Sequence, residues 1–360
     1  DETGKFSHEA FRKLVIKEKL INFWPRTASG KLRTDGKTLE SFEDVPSIFT
    51  YRALSGFKRS TQLMGDPIDP KDNRAKCPFW WFNNITSRAA PSTKQHIFNM
   101  AQCFRPFIQA QPNYVIIERD YEQQEFGIAA YLSGNQNMQE AYESGDPYLS
   151  LGKQGGIIAE DKDKTDPKRD VLKTVCLQLQ YGSGVVKIAE RLRCTVDEAQ
   201  LFVSLHQRVF STYWAWAQGN VDYCLATGKI ETKFGWMYQL KAGEDFRRPL
   251  EKEGFSLNTL RNWPHQSAGA DMTRLAMMFA VDKGLEVVGV VHDCLIINTP
   301  IEEMEQSSNL LAACMRQASI EVVDHEIRTE AHEFIHPARF RTKKPEHLEM
   351  FNRFKEKAGF

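Results

Sequence analysis

A histidine and an aspartate stand between two runs of apolar, mostly β-branched residues in this 360-residue chain. The stretch reads Gly-Val-Val-His-Asp-Cys-Leu-Ile-Ile-Asn-Thr-Pro over residues 289–300. The runs Val287 to Val291 and Leu295 to Ile297 predict two short strands, because such residues fit a buried pleated surface. His292 and Asp293 then form the tip of a hairpin. A carboxylate so close to apolar strands needs solvent, a hydrogen-bond donor or a cation to stabilise its charge. A hairpin tip that is simply exposed to solvent is therefore one of the alternatives.

A second aspartate ends another predicted strand. Residues Asn113 to Arg119, with Tyr-Val-Ile-Ile at their centre, predict a strand that ends at Asp120. We expect a helix to begin there and to end at a C-cap, Gly134. Two carboxylates at the ends of adjacent strands can share metal ions, which is the geometry of two-metal phosphoryl transfer. Taken alone, Asp120 also fits an ordinary helix N-cap.

Cations recur at four-residue spacing in a third segment. Asp166-Pro167 predicts the N-cap and first turn of a helix that ends at Gly182. One stripe of this helix carries Arg169, Lys173, Leu177 and Tyr181. Cations four residues apart repel each other, and a bound polyanion is the simplest compensation, so we expect the stripe to face a cleft. A solvated basic face is the alternative.

Composition indicates a globular protein of two or three subdomains. With 41% hydrophobic residues, the chain can bury a substantial core. No apolar run approaches the roughly 18 residues of a membrane span, and no secretory signal opens the chain, so we expect a cytoplasmic protein without membrane contacts. Seven scattered cysteines without a CxxC pair argue against a zinc site and a disulfide framework. Residue 1 is not methionine, which is compatible with a longer protein that has a further N-terminal domain.

The net charge is zero, but the N-terminal region is basic. Between Phe11 and Lys37, only Glu18 and Asp35 oppose the cations Arg12, Lys13, Lys17, Lys19, Arg26, Lys31, Arg33 and Lys37. Ser7 is the predicted N-cap of a helix through Leu20, and a second helical stretch is predicted near Phe42 to Leu63. Residues 64–96 are predicted to be rich in loops. Phosphate binding and a merely solvated helix both explain the charge.

The order of these segments resembles motifs A, B and C of the family A, polymerase I type, DNA polymerases. Motif A is Asp-Tyr-Glu-Gln-Gln-Glu at 120–125, motif B is the stripe from Arg169 to Tyr181 with Gly182, and motif C is His292-Asp293. Two further segments match, namely Thr86-Ser87-Arg88 for the family's Thr-Gly-Arg and Asn262-Trp263-Pro264-His265-Gln266 for its Asn-x-Pro-x-Gln. The resemblance spans about residues 86–300, and the wording Gln-Gln-Glu-Phe-Gly-Ile-Ala-Ala is similar to a phage or prophage-like branch.

The resemblance implies an α+β fold with the right-hand polymerase architecture, which has an antiparallel palm sheet, helical fingers and a short helical thumb. It places a thumb-like basic helical region in residues 1–85 and the first part of the palm in 86–125. The fingers would comprise 126–250, and the second part of the palm 251–360.

The same resemblance implies roles for individual residues. Asp120 and Asp293 would be catalytic and, with the backbone carbonyl of Tyr121, would hold two Mg²⁺ ions, for which Mn²⁺ can substitute. The incoming deoxynucleoside triphosphate would contact Arg169, Lys173, Leu177, Tyr181, Tyr148 and Glu125, with Glu125 as the gate against a ribose 2′-hydroxyl. Primer-template DNA would contact Arg88, Gln123, Gln266 and His292. An upstream exonuclease domain and replication accessory proteins are the further partners that the family suggests.

Four positions depart from the family pattern. Cys294 replaces the glutamate that usually follows the motif C aspartate, and Leu177 stands where Phe or Tyr is common. Tyr148 takes the place of a frequent phosphate-contacting histidine, and Asn258 that of an arginine. None of these changes removes an expected metal ligand, so they bear on speed, fidelity and sugar selection.

We therefore predict a template-directed DNA polymerase. A single-subunit RNA polymerase is disfavoured by Glu125, which would exclude the 2′-hydroxyl. A metal-dependent exonuclease would need a strand-borne Asp-x-Glu with further paired carboxylates, and the sequence offers no convincing set. A non-catalytic DNA-binding protein is disfavoured because both Asp120 and Asp293 are present.

Overall fold

The computed structural model describes residues 7–63, 68–69, 71–72, 74–92, 96–99, 102–240, 257–340 and 345–358. The helices are α1 (His8–Lys17), α2 (Gly36–Glu40), α3 (Pro46–Leu63), α4 (Gln124–Ser133), α5 (Gln136–Glu143), α6 (Pro147–Gln154), α7 (Pro167–Gln180), α8 (Val185–Leu192), α9 (Val196–Val209), α10 (Ser211–Thr227), α11 (Leu257–Asp282), α12 (Met304–Val323) and α13 (Pro345–Ala358). The strands are β1 (Ile68–Asp69), β2 (Arg74–Ala75), β3 (Phe79–Trp80), β4 (Ala90–Pro91), β5 (Tyr114–Tyr121), β6 (Lys229–Glu231), β7 (Met237–Gln239), β8 (Glu286–Val291), β9 (Cys294–Pro300) and β10 (Thr329–Ile335).

The chain divides into two compact units. The first comprises Asp1–Pro78, Thr93–Ile108 and Phe340–Phe360, and the second comprises Phe79–Ser92 and Gln109–Arg339. The finer division into thumb, palm and fingers stays a prediction. No helix in the described part of the chain is long and apolar enough to cross a membrane.

The first unit has a small aromatic core. Phe11 of α1 packs edge-on against Trp24, and Trp24 stacks on Phe42 with ring centroids 4.4 Å apart. As predicted, Ser7 caps α1, and its hydroxyl accepts a hydrogen bond from the backbone N–H of Ala10. The second predicted helix begins later than expected, at Pro46, because Phe42 belongs to the turn before it and is buried in the core.

The second unit is built around a four-stranded antiparallel sheet with the order β10-β5-β9-β8. Strands β5 and β9 lie in its centre and carry continuous apolar runs, since Val115, Ile117, Leu295 and Ile297 are fully buried. Helices α11 and α12 pack against each other and against the sheet. The predicted α+β class with an antiparallel sheet is thus confirmed.

The prediction of a helix start at Asp120 is wrong. Asp120 is paired on both sides, with Glu330 of β10 and with Cys294 of β9, so its backbone belongs to the sheet. Helix α4 begins only at Gln124. The N-cap interpretation of Asp120 therefore fails, whereas the predicted C-cap, Gly134, is confirmed by its left-handed φ of 62°.

The helix that carries the predicted stripe is present. The side chain of Asp166 accepts a hydrogen bond of 2.9 Å from the N–H of Lys168, and Pro167 occupies the first helical position of α7. The chain leaves the helix through Tyr181 and Gly182, whose φ of 71° is the left-handed conformation that glycine adopts without strain.

Candidate active site

The two aspartates lie at neighbouring strand ends. Asp120 is opposite Cys294, and Asp293 immediately precedes Cys294 in the turn between β8 and β9. The backbone N–H of Tyr121 donates a hydrogen bond of 3.3 Å to the carbonyl oxygen of Asp293. The turn depends on His292, which has a left-handed φ of 57°. The structure therefore brings the ends of the two predicted strands side by side.

The carbonyl of Tyr121 points to the side of β5 on which Asp293 lies. The N–H of Glu122 donates a hydrogen bond of 2.8 Å to the carbonyl of Arg328, on the opposite side of β5. A trans peptide points its C=O away from its N–H, so the Tyr121 carbonyl points away from Arg328. The Tyr121 ring is buried, and its hydroxyl donates to the carbonyl of Met315 at 2.7 Å. Burial raises the pKa of Tyr121 well above its usual range, so the phenol stays neutral.

Arg328 clamps the turn between β5 and α4. Its Nε donates to the carboxylate of Glu122 at 3.1 Å, and its Nη2 donates to the amide oxygen of Gln123 at 3.3 Å. Its Nη1 donates to the carbonyl of Tyr142 at 2.7 Å, and the guanidinium lies 4.3 Å from the centroid of the Tyr142 ring. The turn needs such support because Gln123 has a φ of 49°, which is strained for a residue with a Cβ.

A cleft of about 360 Å³ opens next to these residues. Its walls come from six separate segments of the second unit: Arg88, then Gln123, Gln124, Glu125 and Phe126, then Tyr148, then Leu177, Gln180 and Tyr181, then Gly269 and Ala270, and finally His292 and Asp293. Eight residues of the predicted site are in this set, namely Arg88, Gln123, Glu125, Tyr148, Leu177, Tyr181, His292 and Asp293. Residues predicted for nucleotide and for DNA thus share one cavity.

Inside the cleft, Arg88 forms an ion pair with Glu125. Arg88 was expected to contact DNA and Glu125 to contact the sugar of the nucleotide, so the pair links the two predicted functions. The Arg88 side chain is 31% exposed and that of Glu125 is 15% exposed, which makes this a partly buried pair. In the free protein, each side chain therefore neutralises the charge of the other.

The loop that presents Arg88 is held by a partly buried arginine. Arg274 of α11 donates to the carbonyl of Ser87 at 3.0 Å and lies 4.2 Å from the centroid of the Phe82 ring. Arg274 also forms an ion pair with Asp271, whose pKa is raised by burial although Arg274 lies beside it. Ser87 has a φ of 57°, a left-handed conformation that glycine adopts without strain.

The predicted cationic stripe is divided between two environments. Leu177 and Tyr181 line the cleft, whereas Arg169 and Lys173 are not among the described residues that do so. Arg169 donates to Asp146 at 2.8 Å and to Asp170 at 2.9 Å, so carboxylates compensate its charge in this structure. Lys173 is exposed.

The two tyrosines that line the cleft are neutral hydrogen-bond donors. Tyr148 is buried beneath Arg169, whose guanidinium lies 5.6 Å from the ring centroid. Burial raises the pKa of Tyr148 above its ordinary range. Burial, followed by the charge of Glu125, also raises the pKa of Tyr181. Both phenols therefore keep their protons near neutral pH and can donate hydrogen bonds to anionic oxygens.

The middle turns of helix α11 form part of the wall of the cleft. Gln266 lies three and four residues before Gly269 and Ala270, which line the cleft, so it occupies the same helix face one turn earlier. Its neighbour His265 is fully buried, and neither ring nitrogen has a hydrogen-bond partner among the described residues. Burial lowers the pKa of His265 to about 4, so the ring is neutral.

Sequence reasoning missed three polar residues around the site. The amide of Gln124 donates a long hydrogen bond of 3.5 Å to the carbonyl of Gly269. Gln180 lines the cleft one helical turn after Leu177. The predicted stripe followed a four-residue spacing and so left out Gln180, although residues three apart also lie on the same face of a helix. Arg328 had no local signal, because it lies 206 residues from Glu122 in sequence.

The oxygen donors at the strand ends fit a hard divalent cation. In the described ranges, no group of three or more His, Cys, Asp or Glu residues is arranged to hold a metal ion. An ion at Asp120 and Asp293 would therefore need further oxygens, from the Tyr121 carbonyl, water or a substrate. Mg²⁺ is commonly held in this way, by one or two carboxylates together with substrate phosphates.

Comparison with known proteins places most of the chain in one family. Residues 6–332 match the profile described as DNA polymerase family A. The thermostable DNA polymerase I of Thermus aquaticus is 26% identical over 309 residues, which are 80% of this chain and 36% of that protein. DNA polymerase I of Aquifex aeolicus is 24% identical over 321 residues, or 85% of this chain and 53% of that protein. The chain thus spans about a third to a half of these relatives.

The fold also matches a solved structure, described as the POL domain of Pol1 from M. smegmatis in complex with DNA primer-template and dNTP. The TM-score is 0.73 with 19% sequence identity, and the match covers 91% of this chain and 60% of that one. At this identity the likeness concerns the fold.

Proposed function

Because the chain belongs to DNA polymerase family A, we propose that it adds deoxynucleotides to a primer 3′ end under the direction of a template strand. The observation that carries the proposal is the pairing of the strand ends, in which the N–H of Tyr121 bonds to the carbonyl of Asp293 beside Asp120. This pairing opens into a cleft whose lining includes the residues expected for nucleotide and for DNA.

Asp120, Asp293 and the carbonyl of Tyr121 would hold two Mg²⁺ ions, with Mn²⁺ as a substitute that accepts the same oxygen ligands. Bound there, the ions would offset the charge that develops on the phosphoryl oxygens and on the primer oxygen. The chain supplies the rigidity of the site. The sheet pairing holds Asp120, and Arg328 holds the peptide that follows Tyr121.

For the triphosphate, we propose Arg169, Lys173 and the neutral hydroxyl of Tyr148 as partners. Arg169 is already oriented by Asp146, and such a prealigned guanidinium loses little side-chain entropy when it binds an anion. Lys173 is exposed and one helical turn from Arg169. Leu177 and Tyr181 would contact the nucleotide and the templating base.

Sugar selection is assigned to Glu125. Its carboxylate lies inside the cleft with only 15% of the side chain exposed, so it would occupy space that an additional 2′-hydroxyl needs. Shortening it in Glu125→Ala is expected to raise ribonucleotide incorporation relative to deoxynucleotide incorporation, measured in competition. An unchanged ratio would mean that Glu125 does not line the sugar.

For the primer-template, we propose Arg88, Gln123, Gln266 and His292. Arg88, Gln123 and His292 line the cleft near Asp293, and Gln266 occupies the same face of α11 as the lining residues of that helix. The right-hand division fits the same assignment, with residues 1–85 as thumb, 86–125 and 251–360 as palm, and 126–250 as fingers. The basic residues of the N-terminal region would then approach the DNA backbone.

The proposed setting extends beyond this chain. With primer-template DNA and nucleoside triphosphates as substrates, the protein would act in the cytoplasm of a bacterial or phage-infected cell. Because the relatives are longer, an exonuclease domain and accessory replication proteins are proposed partners. The wording Gln-Gln-Glu-Phe-Gly-Ile-Ala-Ala at motif A and Ser-Gly-Asp-Pro-Tyr after it supports a phage or prophage-like branch.

A primer-extension assay with Asp120→Asn and Asp293→Asn tests the proposal. Each variant is expected to lose on the order of a hundred- to a thousandfold in rate, because an amide would bind the metal ions that offset the transition-state charge less well than the carboxylate does. Glu118→Gln is the matched control, since Glu118 is a carboxylate on β5 two residues before Asp120. It is expected to retain the rate.

The outcomes separate the alternatives. Near wild-type extension by either aspartate variant would contradict the two-metal assignment. If the wild-type protein binds primer-template but does not extend it with either deoxynucleotides or ribonucleotides, the result would support the non-catalytic DNA-binding alternative. Extension with ribonucleotides in preference to deoxynucleotides would support the single-subunit RNA polymerase.

A further inference from the structure

Gln180 carries a buried amide and lines the cleft. The residue is 4% exposed and lines the cleft together with Leu177 and Tyr181 of the same helix. Its amide nitrogen is buried and has no partner among the described residues. Buried polar groups are almost always paired, and an unpaired one at a functional cavity calls for a ligand or an ordered water.

The neighbouring glutamine on α7 shows what a satisfied amide looks like in this helix. The amide oxygen of Gln178 accepts a hydrogen bond of 2.8 Å from the hydroxyl of Ser183. Two residues along a helix are about 200° apart, so Gln178 and Gln180 point to opposite sides. Gln178 binds Ser183 at the end of its own helix, whereas Gln180 is one of the residues that line the cleft.

We propose that the Gln180 amide donates a hydrogen bond to the incoming nucleoside triphosphate. Gln180 lies three residues after Leu177, which offers the nucleotide dispersion contact but no aromatic face and no polar group. A donor one turn later on the same face supplies the directional contact that Leu177 lacks. This inference rests on the proposed polymerase function and adds a residue that determines how the nucleotide is held.

The proposal predicts opposite signs for stability and for nucleotide binding. Leucine has about the size of glutamine and needs no hydrogen bond, so Gln180→Leu removes an unsatisfied buried amide from the free protein. The thermal midpoint of the free variant is expected to rise. The KM for nucleotide is expected to increase about three- to tenfold, since one hydrogen bond to the substrate is lost.

Gln178→Leu is the matched control. It breaks the bond to Ser183, so the thermal midpoint is expected to fall while the KM for nucleotide stays unchanged. Gln180→Met serves as a second variant with a more flexible side chain, in case leucine does not pack. Both Gln180 variants are measured with each of the four deoxynucleotides, and their affinity for primer-template is measured separately by fluorescence anisotropy.

The result that supports the inference is a raised KM with unchanged primer-template affinity in both Gln180 variants. An unchanged KM would overturn it and would mean that water satisfies the amide. Weaker primer-template binding with an unchanged KM would also overturn it and would assign Gln180 to the DNA. If the wild-type protein does not extend primers, the proposed function itself fails, which this comparison distinguishes from a failure at Gln180.

Discussion

The ion pair between Arg88 and Glu125 predicts that a substitution in the nucleotide site changes the affinity for DNA. If Arg88 binds primer-template, it must first leave Glu125 in the free protein. Glu125→Gln keeps the size of the side chain but removes its charge. The variant is therefore expected to bind primer-template more tightly than wild type in the absence of nucleotide.

The magnitude follows from the burial of the pair. The two side chains are 31% and 15% exposed, so the pair lies between the exposed and buried limits. Exposed ion pairs contribute about 0.2–1 kcal/mol, and hydrogen bonds to charged groups about 1.5–3 kcal/mol. We expect that releasing Arg88 costs about 1–2 kcal/mol, which corresponds to about a 5- to 30-fold difference in Kd.

The assay is fluorescence anisotropy of a labelled primer-template at one fixed salt concentration, because affinity for DNA depends steeply on salt. Glu122→Gln is the matched control, since Glu122 is a nearby carboxylate whose partner is Arg328. It tests how much affinity rises from the loss of any negative charge. The gain in Glu125→Gln is expected to vanish when Arg88 is also replaced by alanine.

Two results would refute this reasoning. An equal gain in the Arg88→Ala background would show that Glu125 acts through general repulsion of DNA. No gain in Glu125→Gln alone would show that the ion pair does not compete with DNA for Arg88.

Three further outcomes are expected. Arg328→Ala should lower kcat about ten- to hundredfold, because the turn at Glu122 and Gln123, which follows the Tyr121 carbonyl, loses the guanidinium that binds its side chains, and Arg328→Lys should restore part of the rate; an unchanged kcat would show that the turn keeps its conformation without the guanidinium. Arg274→Met should lower the free energy of unfolding in denaturant by about 3–5 kcal/mol, because the carboxylate of Asp271 stays buried and loses its countercharge. A loss below about 1 kcal/mol would contradict a structural role for that pair. Burial holds the pKa of His265 at about 4, below its ordinary value of 6.5, so protons bind preferentially to the unfolded chain and stability should fall as the pH drops from about 6.5 to about 4. His265→Leu should flatten that decline, and an unaltered pH dependence would contradict it.

Local patterns in the sequence predicted the strands that carry the candidate site and several of the helices. Alternating and continuous apolar runs located β5, β8 and β9, since strand formation depends on which residues fit a buried pleat. Caps located α1 and α7, because Ser7 and Asp166 satisfy backbone N–H groups only a few residues away. The error at Asp120 has a physical source. An aspartate before a helical pattern is a good N-cap, and only the pairing with Cys294 and Glu330 shows that the strand continues.

The chemistry of the site was visible in sequence only as a set of residue types. Arg88 and Glu125 are 37 residues apart, and Arg328 lies 206 residues from Glu122, so no local period relates them. Which charged groups meet depends on how the sheet and α11 pack, and that packing also decides which side of α7 faces the cavity. The sequence predicted a cationic face for that helix, whereas packing turned Leu177, Gln180 and Tyr181 to the cleft and left Arg169 with Asp146. Side-chain partners at such distances are chosen by burial and by the need to pair buried charge, and both exist only once the chain has folded.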